Sequence, residues 1–83
     1  MFLHLGGEIA IPFKDIVAIV DLGKKEGKSS LIHEFLENAK REGNVFYLGD
    51  EIARSFVLTI SKQVYLSPIS AVTLKKRLEN IFS

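Results

Sequence analysis

The stretch Ile16 to Val20 reads Ile-Val-Ala-Ile-Val, and four of its five residues are β-branched. Such side chains fit the pleated surface of a sheet better than the crowded surface of a helix. A nearly continuous apolar run is typical of a strand that is covered on both faces. We therefore expect this stretch to be the central strand of a β-sheet.

Shorter strand-like segments occur on both sides of this run. They cover residues 2–5, 8–11, 45–48, 56–60 and 64–66. Gly6-Gly7 separates the first two, and glycine tolerates the positive φ that a tight reversal requires, so a hairpin or sharp bend is predicted there. The last two read as a hairpin around Ser61-Lys62-Gln63, although no Gly or Asn supplies a turn position.

Two segments carry apolar residues at helical spacing. The first has Ser29 or Ser30 as the expected cap and Gly43 as the expected stop, and its apolar stripe is Leu31, Ile32, Phe35, Leu36 and Ala39. The second follows Ser70 as its expected cap, and its stripe is Ala71, Leu74, Leu78, Ile81 and Phe82. The order β-β-β-α-β-β-β-α predicts a small single α+β domain, residues 1–83, with a mostly antiparallel sheet and two amphipathic helices.

The chain has 83 residues, no cysteine and 47% hydrophobic residues. A core of this size contributes only a few kcal/mol of net stability, and disulfides are excluded, so burial of apolar surface between subunits is the remaining support. We therefore expect a homo-oligomer. No apolar run approaches the roughly 20 residues that cross a bilayer, and the N-terminus lacks the features of a signal peptide, so we expect a cytoplasmic protein without membrane contact.

The segment Gly23 to Ser29 imitates a phosphate-binding loop. A Walker A loop needs G-x-x-x-x-G-K-[ST] between a strand and a helix, but the spacing from Gly23 to Gly27 is one residue short. A solvated βα connection that keeps its lysines in water is the favoured interpretation of the segment. Lys24, Lys25 and Lys28 remain secondary candidates for anion contacts near the helix N-terminus, and binding of ATP by this loop is the weakest functional hypothesis.

Side chains for metal binding or acid–base catalysis are sparse. His4 and His33 have no neighbouring ligands at coordinating spacing, and Asp50-Glu51 is the one adjacent acidic pair. No Gly-x-Ser-x-Gly nucleophile elbow occurs. We therefore expect no catalytic residue, no metal, no cofactor and no enzymatic activity.

Positive charge is concentrated toward the end of the chain. The net charge is +1, but residues 61–83 sum to +3 whereas residues 1–60 sum to −2. Lys75, Lys76 and Arg77 are consecutive on the second helix, where they form either the solvated side of an amphipathic helix or a set of phosphate contacts. Together with Lys14 and Arg54, they are the candidate DNA-binding residues.

Four stretches resemble the bacterial extracellular matrix regulatory family, and within it the RemB branch that is related to RemA. They are Phe2-Leu-His-Leu-Gly-Gly7, Asp15-Ile-Val-Ala-Ile-Val20, Ser67-Pro-Ile-Ser70 and Thr73-Leu-Lys-Lys-Arg77. The resemblance covers nearly the whole chain and implies a small non-enzymatic regulator of biofilm matrix genes. It also implies self-association and DNA binding through basic residues.

The resemblance implies that two basic residues of this chain match basic positions of RemA-like proteins. Lys14 lies where a RemA-like arginine precedes the apolar strand, and Arg54 is the one cation left in a turn that is arginine-rich in RemA-like proteins. Asp50 and Glu51 occupy the same turn, and their carboxylates would repel approaching phosphates. Two hypotheses follow: a homo-oligomeric DNA-binding transcriptional regulator, or a self-associating module that regulates through a protein partner without touching DNA.

Overall fold

The computed structural model describes residues 1–23, 29–49 and 52–82. Its strands are β1 (Phe2–Gly6), β2 (Ile9–Pro12), β3 (Ile16–Asp21), β4 (Val45–Tyr47), β5 (Ser55–Thr59) and β6 (Val64–Ser67), and its helices are α1 (Ser29–Arg41) and α2 (Ala71–Phe82). A short 3-10 turn, Phe13–Asp15, joins β2 to β3. The predicted element order and the α+β class are confirmed. Within the described ranges, no helix is long and apolar enough to cross a membrane.

The strands form a two-stranded sheet, β1-β2, and a four-stranded sheet in the order β3-β5-β6-β4. All neighbours are antiparallel except β4 and β6, which are parallel. The prediction that β3 is the central strand is wrong, because β5 and β6 occupy the middle and β3 lies at an edge. Its apolar composition reflects packing on both faces: Ile16 and Ile19 contact one core cluster and Val20 contacts the other.

The two faces of the four-stranded sheet are covered by different elements. One face packs against α1 through a cluster of Ala39, Phe56, Val64 and Leu66. The opposite face packs against the β1-β2 hairpin and α2, and its buried cluster consists of Leu3, Leu5, Ile11, Leu48, Val57 and Leu74. Successive strand residues point to opposite faces, so β5 and β6 contribute to both clusters. The result is a sandwich of α1, the sheet, and a layer made of the hairpin and α2.

The apolar stripe predicted for α1 is only partly buried. Ile32, Leu36 and Ala39 pack against the sheet, and the Phe35 ring stacks on Phe56 with centroids 5.7 Å apart. Leu31 was expected in the same stripe but is 71% exposed. Because Ile32, the next residue, does pack against the sheet, Leu31 lies at the side of the apolar stripe and outside the surface that the sheet covers.

The helix ends and the second hairpin show how local sequence fixes the turns. Ser70 caps α2, because its Oγ accepts a hydrogen bond from the Thr73 amide at 3.2 Å. Gly43 ends α1 with φ +75°, a conformation that favours glycine. The β5-β6 turn uses Lys62 at φ 66° instead of a glycine, and the Thr59 hydroxyl accepts from the Gln63 amide there. The structure has α1 begin at Ser29, next to residues outside the described ranges, so the cap predicted at Ser29 or Ser30 stays a prediction.

Buried and half-buried polar contacts attach the hairpin and α2 to the sheet. The Ser67 hydroxyl donates to the Leu5 carbonyl, and the Ile69 amide donates to Ser67 Oγ at 3.0 Å. The Ser55 hydroxyl donates to the Ile69 carbonyl at 2.6 Å. These two serines, both fully buried, fix the segment that leads from β6 into α2 and place it beside β1.

Leu74 connects α2 to the hairpin layer, since its side chain is fully buried in the cluster with Leu3, Leu5 and Val57. We expect Leu74→Ala to lower the free energy of unfolding by about 2–5 kcal/mol, because the substitution leaves a cavity in that cluster. Val72 on the same helix is 58% exposed, so Val72→Ala should change this free energy by about 0.5 kcal/mol or less. Urea unfolding followed by circular dichroism measures both, and equal effects would contradict the assigned core.

Candidate nucleic-acid interface

Three of the five predicted DNA-binding residues lie around two aromatic rings. Lys14 lines a shallow groove with Phe2 and Phe13, Lys75 lines a second groove with Phe13, and Arg77 lines a third groove with Phe2. All three cationic side chains are exposed. We call Phe2, Phe13, Lys14, Lys75 and Arg77 the basic–aromatic surface.

The hairpin positions the aromatic part of this surface. In β1 the side chains alternate, so that Leu3 and Leu5 are buried while Phe2 and His4 point outward. Phe2 pairs with Pro12 at the end of the hairpin, and the Phe13 amide donates to the Met1 carbonyl at 2.9 Å. Phe2 is therefore held 58% exposed beside the 3-10 turn that carries Phe13 and Lys14.

Helix α2 supplies the remaining cations. Leu74 faces the core and Leu78 is half-buried, which directs Lys75 toward the groove beside β3 and Arg77 toward β1. Arg77 Nη1 donates a hydrogen bond to the His4 carbonyl at 3.1 Å. This bond holds the guanidinium across the seam between helix and hairpin, and four of its five N–H donors remain for other acceptors.

The other two candidates lie apart from this surface. Lys76 is exposed on α2 but lines none of these three grooves in the described part of the chain. Arg54 precedes β5, where its carbonyl accepts from the Leu22 amide at 3.0 Å, beyond the C-terminal end of β3. Lys14 lies just before the start of β3, so the length of that strand, about 16 Å at 3.3 Å per residue, separates Arg54 from Lys14.

Several sequence predictions fall outside the described residues. Lys24, Lys25 and Lys28 of the loop that imitates a Walker A motif belong to residues 24–28. Asp50 and Glu51, the carboxylates expected to oppose phosphates, are also outside the described ranges. The position of these charges relative to the basic–aromatic surface therefore stays a prediction.

The cations of α1, on the opposite side of the sheet, have side-chain partners on α1 and on β4. The Tyr47 hydroxyl hydrogen-bonds Lys40 and raises the pKa of its ammonium, and Glu37 Oε2 lies 3.7 Å from Lys40 Nζ. Arg41 Nη1 donates to Asn38 Oδ1 at 3.0 Å. Lys14, Lys75 and Lys76 have no such side-chain partner among the described residues. The difference favours the hairpin and α2 side for contact with an external anion.

Carboxylates near the basic–aromatic surface reduce its charge without cancelling it. Asp15 follows Lys14 directly, and Glu79 lies one turn beyond Lys75 and Lys76 on α2. The three cations of this surface, Lys14, Lys75 and Arg77, therefore have two carboxylates near them in the sequence. Among the described residues, no group of three His, Asp or Glu side chains could hold a metal ion.

Sequence reasoning identified the cations but not the aromatic residues between them. Phe2 was assigned only to a strand and Phe13 to no site. The signal was present, because alternation of Phe2 and His4 with Leu3 and Leu5 predicts that a large aromatic ring points away from the core. What the sequence did not provide was the packing of α2 beside β1, which brings Arg77 next to that ring.

Comparison with known proteins agrees with the resemblance seen in the sequence motifs. A family model described as RemA-like, "Extracellular matrix regulatory protein A-like", matches residues 2–78. The chain is 35% identical over 82 residues to extracellular matrix regulatory protein B of Bacillus subtilis (strain 168), a match that covers 99% of this chain and 95% of that protein. All residues of the basic–aromatic surface lie inside both matches. The chain therefore belongs to the RemA-like family of extracellular matrix regulatory proteins.

Proposed function

We propose that this chain is a cytoplasmic, non-enzymatic regulator of extracellular matrix genes that contacts DNA through the basic–aromatic surface. The family and the name of the B. subtilis relative support a role in matrix regulation. The observation that carries DNA contact is the grouping of Lys14, Lys75 and Arg77 on one side of the molecule, around Phe2 and Phe13. Lysine and arginine contact phosphate oxygens independently of base sequence.

The number of cations limits the strength of such binding. Each phosphate contact releases about one counterion from DNA, so three or four contacts from one protomer give weak, strongly salt-dependent binding. Useful affinity then requires several copies of the chain on the same DNA, because linked contacts multiply. The proposal therefore includes self-association.

The edge strand β3 offers a site for that self-association. Its outer side has no neighbour in the described four-stranded sheet, and Val17 on this strand is 56% exposed. An unprotected edge with apolar side chains is a ready template for pairing with another strand. Assembly also supplies a role for Arg54, since a DNA backbone passing from one copy to the next can contact cations that lie at opposite ends of β3.

A second candidate function is a protein-interaction module that does not bind DNA. The exposed apolar residues favour it: Met1, Phe2, Ile52 and Val72 are all more than half exposed. Met1 and Phe2 line the same groove, and a contiguous exposed apolar patch is typical of a partner interface. In that case, DNA binding would be absent and the same Phe2 surface would contact the partner protein.

Removal of two cations tests the DNA hypothesis. We expect the double variant Lys14→Gln/Lys75→Gln to bind duplex DNA more weakly than the wild type and to show a shallower dependence of affinity on salt. Loss of two phosphate contacts per bound protomer should reduce the slope of log K against log salt by about 2. Fluorescence anisotropy with a labelled promoter duplex at several salt concentrations measures both quantities.

The matched control is Lys40→Gln/Arg41→Gln, which removes the same charge from α1 on the opposite face of the sheet. Its affinity and salt slope should stay close to those of the wild type. Equal loss in the two double variants would show that only net charge matters and would contradict the assigned surface. Absence of any complex for the wild type at micromolar protein and low salt would favour the protein-interaction module.

The β3 edge gives a separate prediction about assembly. We expect Val17→Lys to shift the protein toward smaller species, because a charged residue on an edge strand opposes pairing with a second strand. Light scattering coupled to size-exclusion chromatography measures the mass, with Val72→Lys on α2 as a control of equal charge change. A wild-type protein that is monomeric at the concentrations used for DNA binding would contradict the proposed self-association.

A further inference from the structure

A groove of about 520 Å³ runs between β1 and α2 and joins side chains that are far apart in sequence. It is lined by Phe2, Leu3, His4, Arg77 and Asn80. The groove combines an exposed aromatic ring, an imidazole, a guanidinium and a carboxamide. The groove beside α1 differs: it has a volume of about 250 Å³ and is lined mainly by apolar atoms, and its charged lining residues are Glu42 and Lys62.

The β1 side of the groove provides a flat apolar contact. Phe2 and His4 occupy alternate positions of the strand and therefore share its outer face, above buried Leu3 and Leu5. The strand is fixed by its pairing with β2 and by the Ser67 hydroxyl bond to the Leu5 carbonyl. The ring of Phe2 is thus presented from a fixed backbone, with 58% of the residue exposed.

The α2 side provides polar groups. Arg77 and Asn80 are three positions apart and lie on the same side of the helix. Arg77 is oriented by the bond from Nη1 to the His4 carbonyl at 3.1 Å, and its remaining N–H groups match the oxygens of a phosphate. A ligand in the groove therefore meets an aromatic face at one side and an oriented guanidinium at the other.

We propose that this groove binds one unpaired nucleotide, with its base against the Phe2 ring and its phosphate at Arg77. The assignment rests on the proposed function, because Lys14 and Lys75 flank the same surface and would hold the neighbouring phosphates of the strand. Bases stack on aromatic side chains with little regard to sequence, and a cation beside the ring matches the adjacent phosphate. In a duplex the bases are stacked on each other, so the groove accepts a base only from a single strand, an opened duplex or a free mononucleotide.

Substitution of Phe2 distinguishes stacking of a base on the ring from contact with the phosphate backbone. We expect Phe2→Leu to lower the affinity for a labelled single-stranded 12-mer by about 10-fold, the typical effect of losing one stacked base. Affinity for the matching duplex should fall by a clearly smaller factor than affinity for the single strand, and the salt slope of duplex binding should stay close to that of the wild type, because leucine leaves all cations in place. The matched control is Phe46→Leu, because Phe46 is an aromatic residue, 40% exposed, that stacks on Tyr65 at the opposite edge of the sheet.

A second experiment on the wild-type protein needs no variant and therefore stands even if Phe2→Leu unfolds. Titration with 5′-dAMP, followed by amide chemical shifts, should perturb residues of β1 and the second half of α2 ahead of those in α1. Perturbation by dAMP below about 1 mM indicates that a free nucleotide suffices; perturbation by the 12-mer alone indicates that a continuous strand is required. Both results support binding of a nucleotide in the groove.

Two outcomes overturn the inference, and they differ from failure of DNA binding in general. If Phe2→Leu weakens single-stranded and duplex binding equally, the ring only supports the backbone contacts. If neither dAMP nor the 12-mer perturbs β1 and α2 while duplex DNA still binds with the expected salt slope, the groove holds no nucleotide and the proposed function stands without it.

Discussion

Coverage of both faces of β5 and β6 is the constraint on which the rest of the structure depends. Val57 faces the hairpin and α2, while Phe56 faces α1, so two adjacent residues of one strand belong to different cores. Removal of either layer would expose one face of the sheet. Because each core is small, the sheet depends on both layers for its stability. The sheet thereby keeps the cations of α2 and of the 3-10 turn, Lys14 among them, on one side and those of α1 on the other.

This division determines which charges can act together. On α1 the cations are engaged locally, as in the Lys40–Glu37 pair at 3.7 Å. On the other side, Lys14 and Lys75 approach the same aromatic residue, Phe13, from the 3-10 turn and from α2. A protein with a net charge of only +1 can therefore present a locally basic surface. The proposed contact of one such surface with DNA would be weak, so self-association is part of the same proposal.

Local signals in the sequence predicted the elements, and the missed features depended on packing between elements. The Ser70 cap and the Gly43 stop were correct because each acts within a few residues of chain. The predicted central position of β3 was wrong. An apolar run indicates that both faces of a strand are covered, but it does not indicate where the strand lies in the sheet order. Of the predicted site residues, Lys14, Lys75 and Arg77 lie around the same two aromatic rings, whereas Arg54 lies at the far end of β3; their contact with DNA stays a prediction. The role of Phe2 required knowledge of where α2 docks.

The most direct test of the central claim is a map of the DNA-contacting surface at residue level. Amide chemical shifts of the wild-type protein, recorded during titration with a short duplex at low salt, provide that map. The account predicts the largest changes in residues 2–4, 13–14 and 75–80, with small changes along α1 from residue 30 to residue 41. Changes concentrated on α1, or spread evenly over both faces of the sheet, would contradict a nucleic-acid surface formed by the hairpin and α2.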